Sequence, residues 1–350
     1  MNIKRRSFNK LILGGAATLA APYSFVRAQT PDPKPGDELV VGIWGGTQEK
    51  IVKQYIEPVL VDKYGCKISY VLGGTVERRA RAYAERGRPS FDVLYLNIFE
   101  SRQAVKDGVT QPATDAVENA QYLYPIARKG GYGVAINPCT IVYNKTKASA
   151  PITSWKDMWK PEWQGRIAWP NGLGAEGISA LMMSTLSWFG DQTKMAPEGF
   201  DKVKELKPFA AIQGSQAQLF DMFDQDIADL SVEFGSFCEK YIEERNPDFA
   251  LADPEEGKAL AMNVACITEG TRNQKLAEEW VNLHLSPEVM QAYAKEIYYS
   301  PTVTNADIPA DIQSKLIMPD QIDTLVDFDW DYINGNRNKW QSIYDREIAG

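Results

Sequence analysis

From residue 38 onward the chain alternates short apolar runs with longer segments whose apolar positions recur at helical spacing. Leu39 to Trp44 reads as a strand and Gly45-Gly46 as a tight turn; Thr47 to Tyr64 reads as a helix with Ile51, Tyr55, Val59 and Leu60 along one face. Lys67 to Leu72 is a second strand, Gly73-Gly74 a second turn, and Thr75 to Arg86 a second helix, followed by a third strand from Phe91 to Leu96. Such alternation predicts parallel strands joined by helical crossovers. Sheets of this kind bind ligands beyond the carboxyl ends of their strands. That rule places Trp44, Gly45, Gly46, Thr47, Gly74, Thr75 and Asn97 around one edge. The two Gly-Gly-Thr triplets would offer unpaired backbone N–H groups to an anionic or carbonyl group of a ligand, while the threonines could equally cap their own helices.

The first residues follow a different pattern. Lys4-Arg5-Arg6-Ser7-Phe8-Asn9-Lys10 precedes an apolar run from Leu11 to Pro22 and then Val26-Arg27-Ala28. A basic region, an apolar region and a small-residue cleavage site in this order predict a secretory signal over residues 1–28, and the adjacent arginines resemble a twin-arginine signal. The apolar run is shorter than the ~20 residues a bilayer-spanning helix needs. Its removal takes away Lys4, Arg5, Arg6, Lys10 and Arg27 and no acidic residue, so the formal charge falls from −8 to −13. So acidic a product is expected to avoid nucleic acid and anionic lipid. The Pro-rich stretch 29–37 is a lead-in, and the remaining length suits two domains. Cys66, Cys139, Cys238 and Cys266 are scattered without metal-binding spacing and read as buried thiols, although an oxidising compartment would permit disulfides; the one histidine, His284, lies in a helical segment from Asn273 to Leu285 and reads as a packed or surface residue, not a catalytic one.

The middle of the chain is the most specific. Gly131-Tyr132-Gly133-Val134-Ala135-Ile136-Asn137 leads to Ile141-Val142-Tyr143-Asn144-Lys145, then to Thr153-Ser154-Trp155-Lys156-Asp157-Met158-Trp159 and Trp163-Gln164-Gly165-Arg166-Ile167-Ala168-Trp169. Trp155, Trp159 and Trp163 sit four apart, which on a helix would bury one aromatic face; Trp169 ends a strand, where its ring can face a cleft. In order and spacing these blocks resemble the extracellular solute-binding proteins of ABC importers, especially the group of spermidine/putrescine-binding proteins, over about residues 38–303.

The resemblance implies a two-lobe α/β fold, each lobe a mostly parallel sheet flanked by helices, with the ligand cleft between them. Crossings near Ile136 to Cys139 and near Met262 to Val264 would assign 38–136 with 264–305 to one lobe and 137–263 with 306–350 to the other. It implies a monomeric periplasmic protein that hands a small organic solute, polyamine-like or a smaller amine or zwitterion, to a membrane permease, with no cofactor and no catalytic residue. Where polyamine-binding relatives carry acids, this chain has Asn171 and Asn263, which disfavours a polycation. Glu233, after a strand from Ile227 to Val232, is the expected partner for a single ammonium group. Tyr132, Trp169 and Tyr299 complete the expected site. Two rival readings remain. Gly172-Leu173-Gly174-Ala175-Glu176-Gly177 matches a dinucleotide-binding pattern and keeps an exported oxidoreductase in view, although Pro170-Asn171 separates it from its strand and no acid ends the next one, Phe209 to Gln213. Tyr298-Tyr299 could hold ferric ion, but lacks clustered carboxylates.

Overall fold

A computed structural model describes residues 32–350; the expected signal segment and its twin arginines lie outside the described residues. The first part of the chain gives β1 (Glu38–Ile43), α1 (Thr47–Tyr55), α2 (Glu57–Tyr64), β2 (Lys67–Leu72), α3 (Thr75–Ala84), β3 (Val93–Asn97), α4 (Ile98–Lys106) and β4 (Tyr132–Ile136). The single helix expected from Thr47 to Tyr64 is two, because Pro58 in the first turn of α2 has no N–H to continue the ladder of α1. Strands β1, β2 and β3 pair in parallel, Val41 standing beside Tyr70 and Val93. Their inward residues Leu39, Val41, Ile43, Val93 and Leu96 are fully buried.

The chain then leaves this sheet. β5 (Cys139–Asn144), β6 (Ala168–Pro170), α5 (Ala175–Phe189), α6 (Glu198–Lys204), β7 (Ala211–Gln213), α7 (Gln216–Asp224), β8 (Leu230–Phe234), α8 (Gly235–Glu244) and β9 (Phe249–Leu251) form a second body. β10 (Met262–Ile267) returns to the first sheet, inserting antiparallel between β3 and β4 to give the order β2-β1-β3-β10-β4. α9 (Gln274–His284), α10 (Pro287–Ile297) and α11 (Trp330–Glu347) follow. The second body departs from the expected mostly parallel pairing: β6 and β7 are parallel, but β8-β5-β9 is antiparallel throughout. Its central strand β5 enters from the first sheet, so β8 and β9 meet it running the other way.

Three segments connect the two bodies side by side. Asn137 N–H donates to the Ala261 carbonyl, Cys139 N–H to Ala259, and Ile136 N–H to Ser300, each at 2.9–3.0 Å. The return crossing therefore begins at Ala259, a few residues before the expected Met262, and a third crossing near Ser300 was not anticipated.

The tryptophan cluster is core, as expected, but not helix. Trp155 and Trp159 bound one 3-10 turn and Trp163 ends another, with Pro161 opening the second and Lys160 extended between them. Trp155 and Trp163 are buried, and the Trp155 Nε1–H donates to the Gly257 carbonyl at 2.9 Å. All four cysteines are buried free thiols. His284 is buried in the first body, its Nδ1 2.6 Å from the Tyr95 hydroxyl, which also accepts from Trp280 Nε1–H at 2.9 Å. Burial pushes the imidazole pKa down to about 3, so the ring is neutral.

Candidate functional site

A cleft of 360 Å³ lies against the crossing segments, between the carboxyl end of the first sheet and the start of α5. From the first body it receives Trp44 after β1, Thr75 at the start of α3, Asn97 ending β3, and Phe99 and Glu100 on α4. The Trp44 ring is fixed from two sides, edge-on to Tyr95 at 6.4 Å and under the Arg78 guanidinium at 4.8 Å. Arg78 is buried and donates to the carbonyls of Gly73 and Tyr95, so it also holds the turn before α3; burial lowers its pKa to about 10.

Asn97 and Glu100 form a capping box, in which a Glu100 oxygen accepts from Asn97 N–H at 3.3 Å and from its Nδ2 at 3.1 Å. From the crossings come Asn137, Asn263 and Tyr299. Asn263 Nδ2 donates to Gln48 Oε1 at 3.2 Å, and Gln48 Nε2 reaches the Tyr299 hydroxyl at 3.5 Å.

The second body contributes Gly174, Ala175, Glu176, Ser179, Phe234 and Phe237. Glu176 is the only charged residue of α5, a helix otherwise apolar or small along its length. The glycines before it explain its position. Gly172 has φ of +67°, and a Cβ on Gly177 would stand 2.0 Å from the Gly172 carbonyl oxygen. The G-x-G-x-x-G segment thus folds tightly against its own helix and presents Gly174 to Glu176 to the cleft. Neither Gly74 at the start of α3 nor Gly174 at the start of α5 has a side chain to cap its helix; at α5 the Glu176 carboxyl folds back to accept its own backbone N–H.

Burial raises the Glu176 pKa. Glu233 lies behind it, 1% exposed and outside the cleft lining; burial first, and the nearby Glu176 charge second, push its carboxyl up to about 8. The Phe234 N–H donated to Glu233 at 2.8 Å only partly offsets this. The C-terminal helix closes one wall: Trp330 stacks on Phe99 at 5.3 Å, and Arg337 lies over the same ring at 4.6 Å. Arg337 donates to the Leu173 carbonyl, while its Nη1 is buried without a partner.

The expected residues therefore divide. Trp44, Thr75, Asn97, Asn263 and Tyr299 line one cavity. Gly45, Gly46, Thr47 and Gly74 shape the turns beside it, and Gln48 rather than Thr47 reaches in; neither Thr47 nor Thr75 caps its helix. Tyr132 is buried elsewhere, its hydroxyl accepting from Thr114 N–H at 3.0 Å. Trp169 is buried against Phe209 at 5.4 Å, and Asn171 is an exposed residue whose N–H joins Gln213 at 3.0 Å. Glu233 is corrected from a lining acid to one beneath the floor. Glu100, Glu176, Phe99, Phe234, Phe237, Trp330 and Arg337 were missed; the lone acid of an apolar helix was a legible sign of Glu176. Tyr298 and Tyr299 do not converge, since the Tyr298 hydroxyl donates to Glu243 and accepts from Lys315 at 3.0 Å, away from the cleft.

The architecture is that of the two-lobe binding proteins, with a sheet in each body and the cleft between. Superposition on an ABC transporter protein from Clostridium perfringens gives a TM-score of 0.77 at 23% identity, over 89% of this chain and 99% of that one. Residues 89–336 match the family described as bacterial extracellular solute-binding protein, and the chain belongs to that family. The thiamine-binding periplasmic protein of Escherichia coli is 23% identical over 209 residues, 59% of this chain and 61% of its own length. The spermidine/putrescine-binding periplasmic protein of Escherichia coli is 23% identical over 205 residues, 57% of this chain and 58% of its own. The matches thus span about three fifths of these relatives.

Proposed function

We propose that this protein is the periplasmic solute-binding component of an ABC importer and that its solute is a small organic amine, singly charged or zwitterionic. The observation that carries the reading is Glu176, a carboxylate projecting from an apolar helix into a cleft walled by Trp44, Phe237 and Tyr299. An ammonium group placed there gains a charge-assisted hydrogen bond and aromatic faces at once. The start of α3, which lacks a capping side chain, and the unpaired Nη1 of Arg337 give a carboxylate or hydroxyl of the same molecule a place to rest. Thiamine and spermidine, the solutes named for the two relatives, both carry positively charged nitrogen.

In this reading residues 38–136 with 264–305 and 137–263 with 306–350 are lobes that close on the solute, a hinge motion typical of such folds. The protein acts as a monomer after loss of residues 1–28, exported by its paired arginines, and releases the solute unchanged to a membrane permease. The tight packing of Gly177 on Gly172 supports reading the glycine-rich loop as a presenter of Glu176 rather than as a dinucleotide site.

The test is a melting-temperature screen of purified protein against amines, amino acids, organic acids and metal ions, followed by calorimetry, since a ligand selective for the folded state stabilises it. Stabilisation by amines or zwitterions is expected. A response confined to organic acids, ferric ion or nicotinamide cofactors overturns the reading.

A further inference from the structure

On the other side of the crossing segments lies a second cavity, of 280 Å³. Neighbouring residues divide between the two: Tyr299 lines the cleft, whereas Tyr298, in the left-handed conformation that ends α10, and Ser300 line the second cavity. Around the start of α8 the same division holds, with Phe234 and Phe237 in the cleft and Ser236 and Glu239 in the second cavity.

Two of its polar groups lack partners. Ser236 is 3% exposed, and its buried Oγ has no hydrogen bond. Glu239, one turn further along α8, has no ion pair or hydrogen bond among the described residues, and burial raises its pKa despite the charges of Lys315 and Lys258. The two lysines complete the charge pattern. Lys258 pairs with the exposed Asp253 at 3.1 Å, and Lys315 with Glu243 at 2.7 Å. A buried hydroxyl and a half-buried carboxylate left unpaired are costly, which marks the place as built for something that pairs them.

The charges choose the class of occupant. With both lysines already paired, Glu239 is the lining charge without an ion-pair partner and calls for a cationic group, while the unpaired Ser236 Oγ and the nearby Lys315 ammonium offer donors to an acceptor group. A molecule carrying an ammonium and a carboxylate a few bonds apart meets both. We propose that this cavity is a second binding site, separate from the cleft, for a small zwitterionic amino acid held with its ammonium on Glu239 and its carboxylate toward Ser236 and Lys315. The volume lies at the small end of ligand pockets, which start near ~300 Å³, and suits a molecule of few heavy atoms.

The probe is β-alanine, with the full processed chain. Calorimetric titration of a Glu176→Gln background, in which the cleft is weakened, isolates the second site; adding Glu239→Gln or Ser236→Val to that background should weaken the remaining binding at least tenfold. Melting curves confirm that each variant is folded, and Glu239→Gln, being isosteric and half-buried, serves if Ser236→Val is not. Crystals soaked in β-alanine should show the molecule between Glu239 and Ser236. Density confined to the cleft, heats unchanged by both substitutions, or no binding at tens of millimolar overturns the proposal.

Discussion

Glu233 and His284 are both fully buried and both neutral at pH 7, yet they are built into opposite surroundings. His284 packs in the first body with its Nδ1 against the Tyr95 hydroxyl, which also accepts from Trp280 Nε1–H, and with Tyr293 at 4.9 Å, while its Nε2 is buried without a partner. Glu233 has one backbone N–H, and beside it a second carboxylate, Glu176, that opens onto the cleft. Burial is the first cause in both, joined for Glu233 by the neighbouring Glu176 charge. The difference is that Glu176, beside Glu233, lines the cleft where a ligand can meet it, whereas His284 is buried away from the cleft. A perturbed ionisable group marks a site only where a cavity adjoins it.

The sharpest way to break this comparison is Glu176→Gln. It removes the charge-assisted bond to an ammonium group, and affinity for the amine ligand should fall about ten- to a hundredfold, roughly 1.5–3 kcal/mol, by calorimetry. Unchanged affinity would leave Glu176 as no more than a buried curiosity like His284. Next in size is Tyr95→Phe, which strands both the His284 Nδ1 and the Trp280 Nε1–H in the core. Chemical denaturation should show a loss of about 1–3 kcal/mol. A neutral result would mean that the network is slack.

How far this contrast was legible follows from where each group lies in the chain. The strands β1 and β2 and the turns after them could be read because short apolar runs ending at paired glycines are local signals. Trp44, Thr75 and Asn97 followed, since strand ends in a parallel sheet share one edge. The same logic misplaced Trp169 and Asn171: the end of β6 is covered by α11, whose Tyr344 hydroxyl donates to the Pro170 carbonyl at 2.6 Å, and the Trp169 ring turns onto Phe209. Spacing of four between tryptophans mimicked a helix, but Pro161 divides the segment into two 3-10 turns. Trp330 and Arg337 reach the cleft from a helix far along the chain, and no local pattern says which surface such a helix will cover. Asn263 lines the cleft, and its partner Gln48 is one residue beyond the threonine that drew attention.

Smaller effects concern pH, and they oppose each other. Between the ordinary glutamate range and about pH 8 the folded chain keeps a proton on Glu233 that the unfolded chain has released; stability therefore falls as pH rises through that window and is intact below it. Glu233→Gln should raise the melting temperature at pH 8 by about 3 °C or more, at roughly 2–4 °C per kcal/mol, and should change little at pH 4.5. Equal melting curves at pH 8 would show that the carboxyl is solvated. For His284 the unfolded chain takes up a proton below its usual value of 6.5 that the folded chain refuses down to about 3, so stability falls as pH drops. His284→Phe should flatten that acid limb while lowering stability by about 1 kcal/mol at pH 7 through the lost bond to Tyr95. An undiminished slope in calorimetric scans from pH 7 to 4 would assign the acid limb to other groups.

Helix α11 reaches across both bodies. At about 1.5 Å per residue its 18 residues form a rod of about 27 Å. One end is pinned by Trp330 on Phe99 and by Asp331 with Lys106 at 3.0 Å, the other by Tyr344 on Pro170 and by Glu347 with Lys204 at 2.9 Å. If the two bodies close on a solute as proposed, a rod fastened to both would limit how far they open, and the residence time of the solute would be adjustable from anchors such as Tyr344 and Glu347, which lie outside the cleft lining.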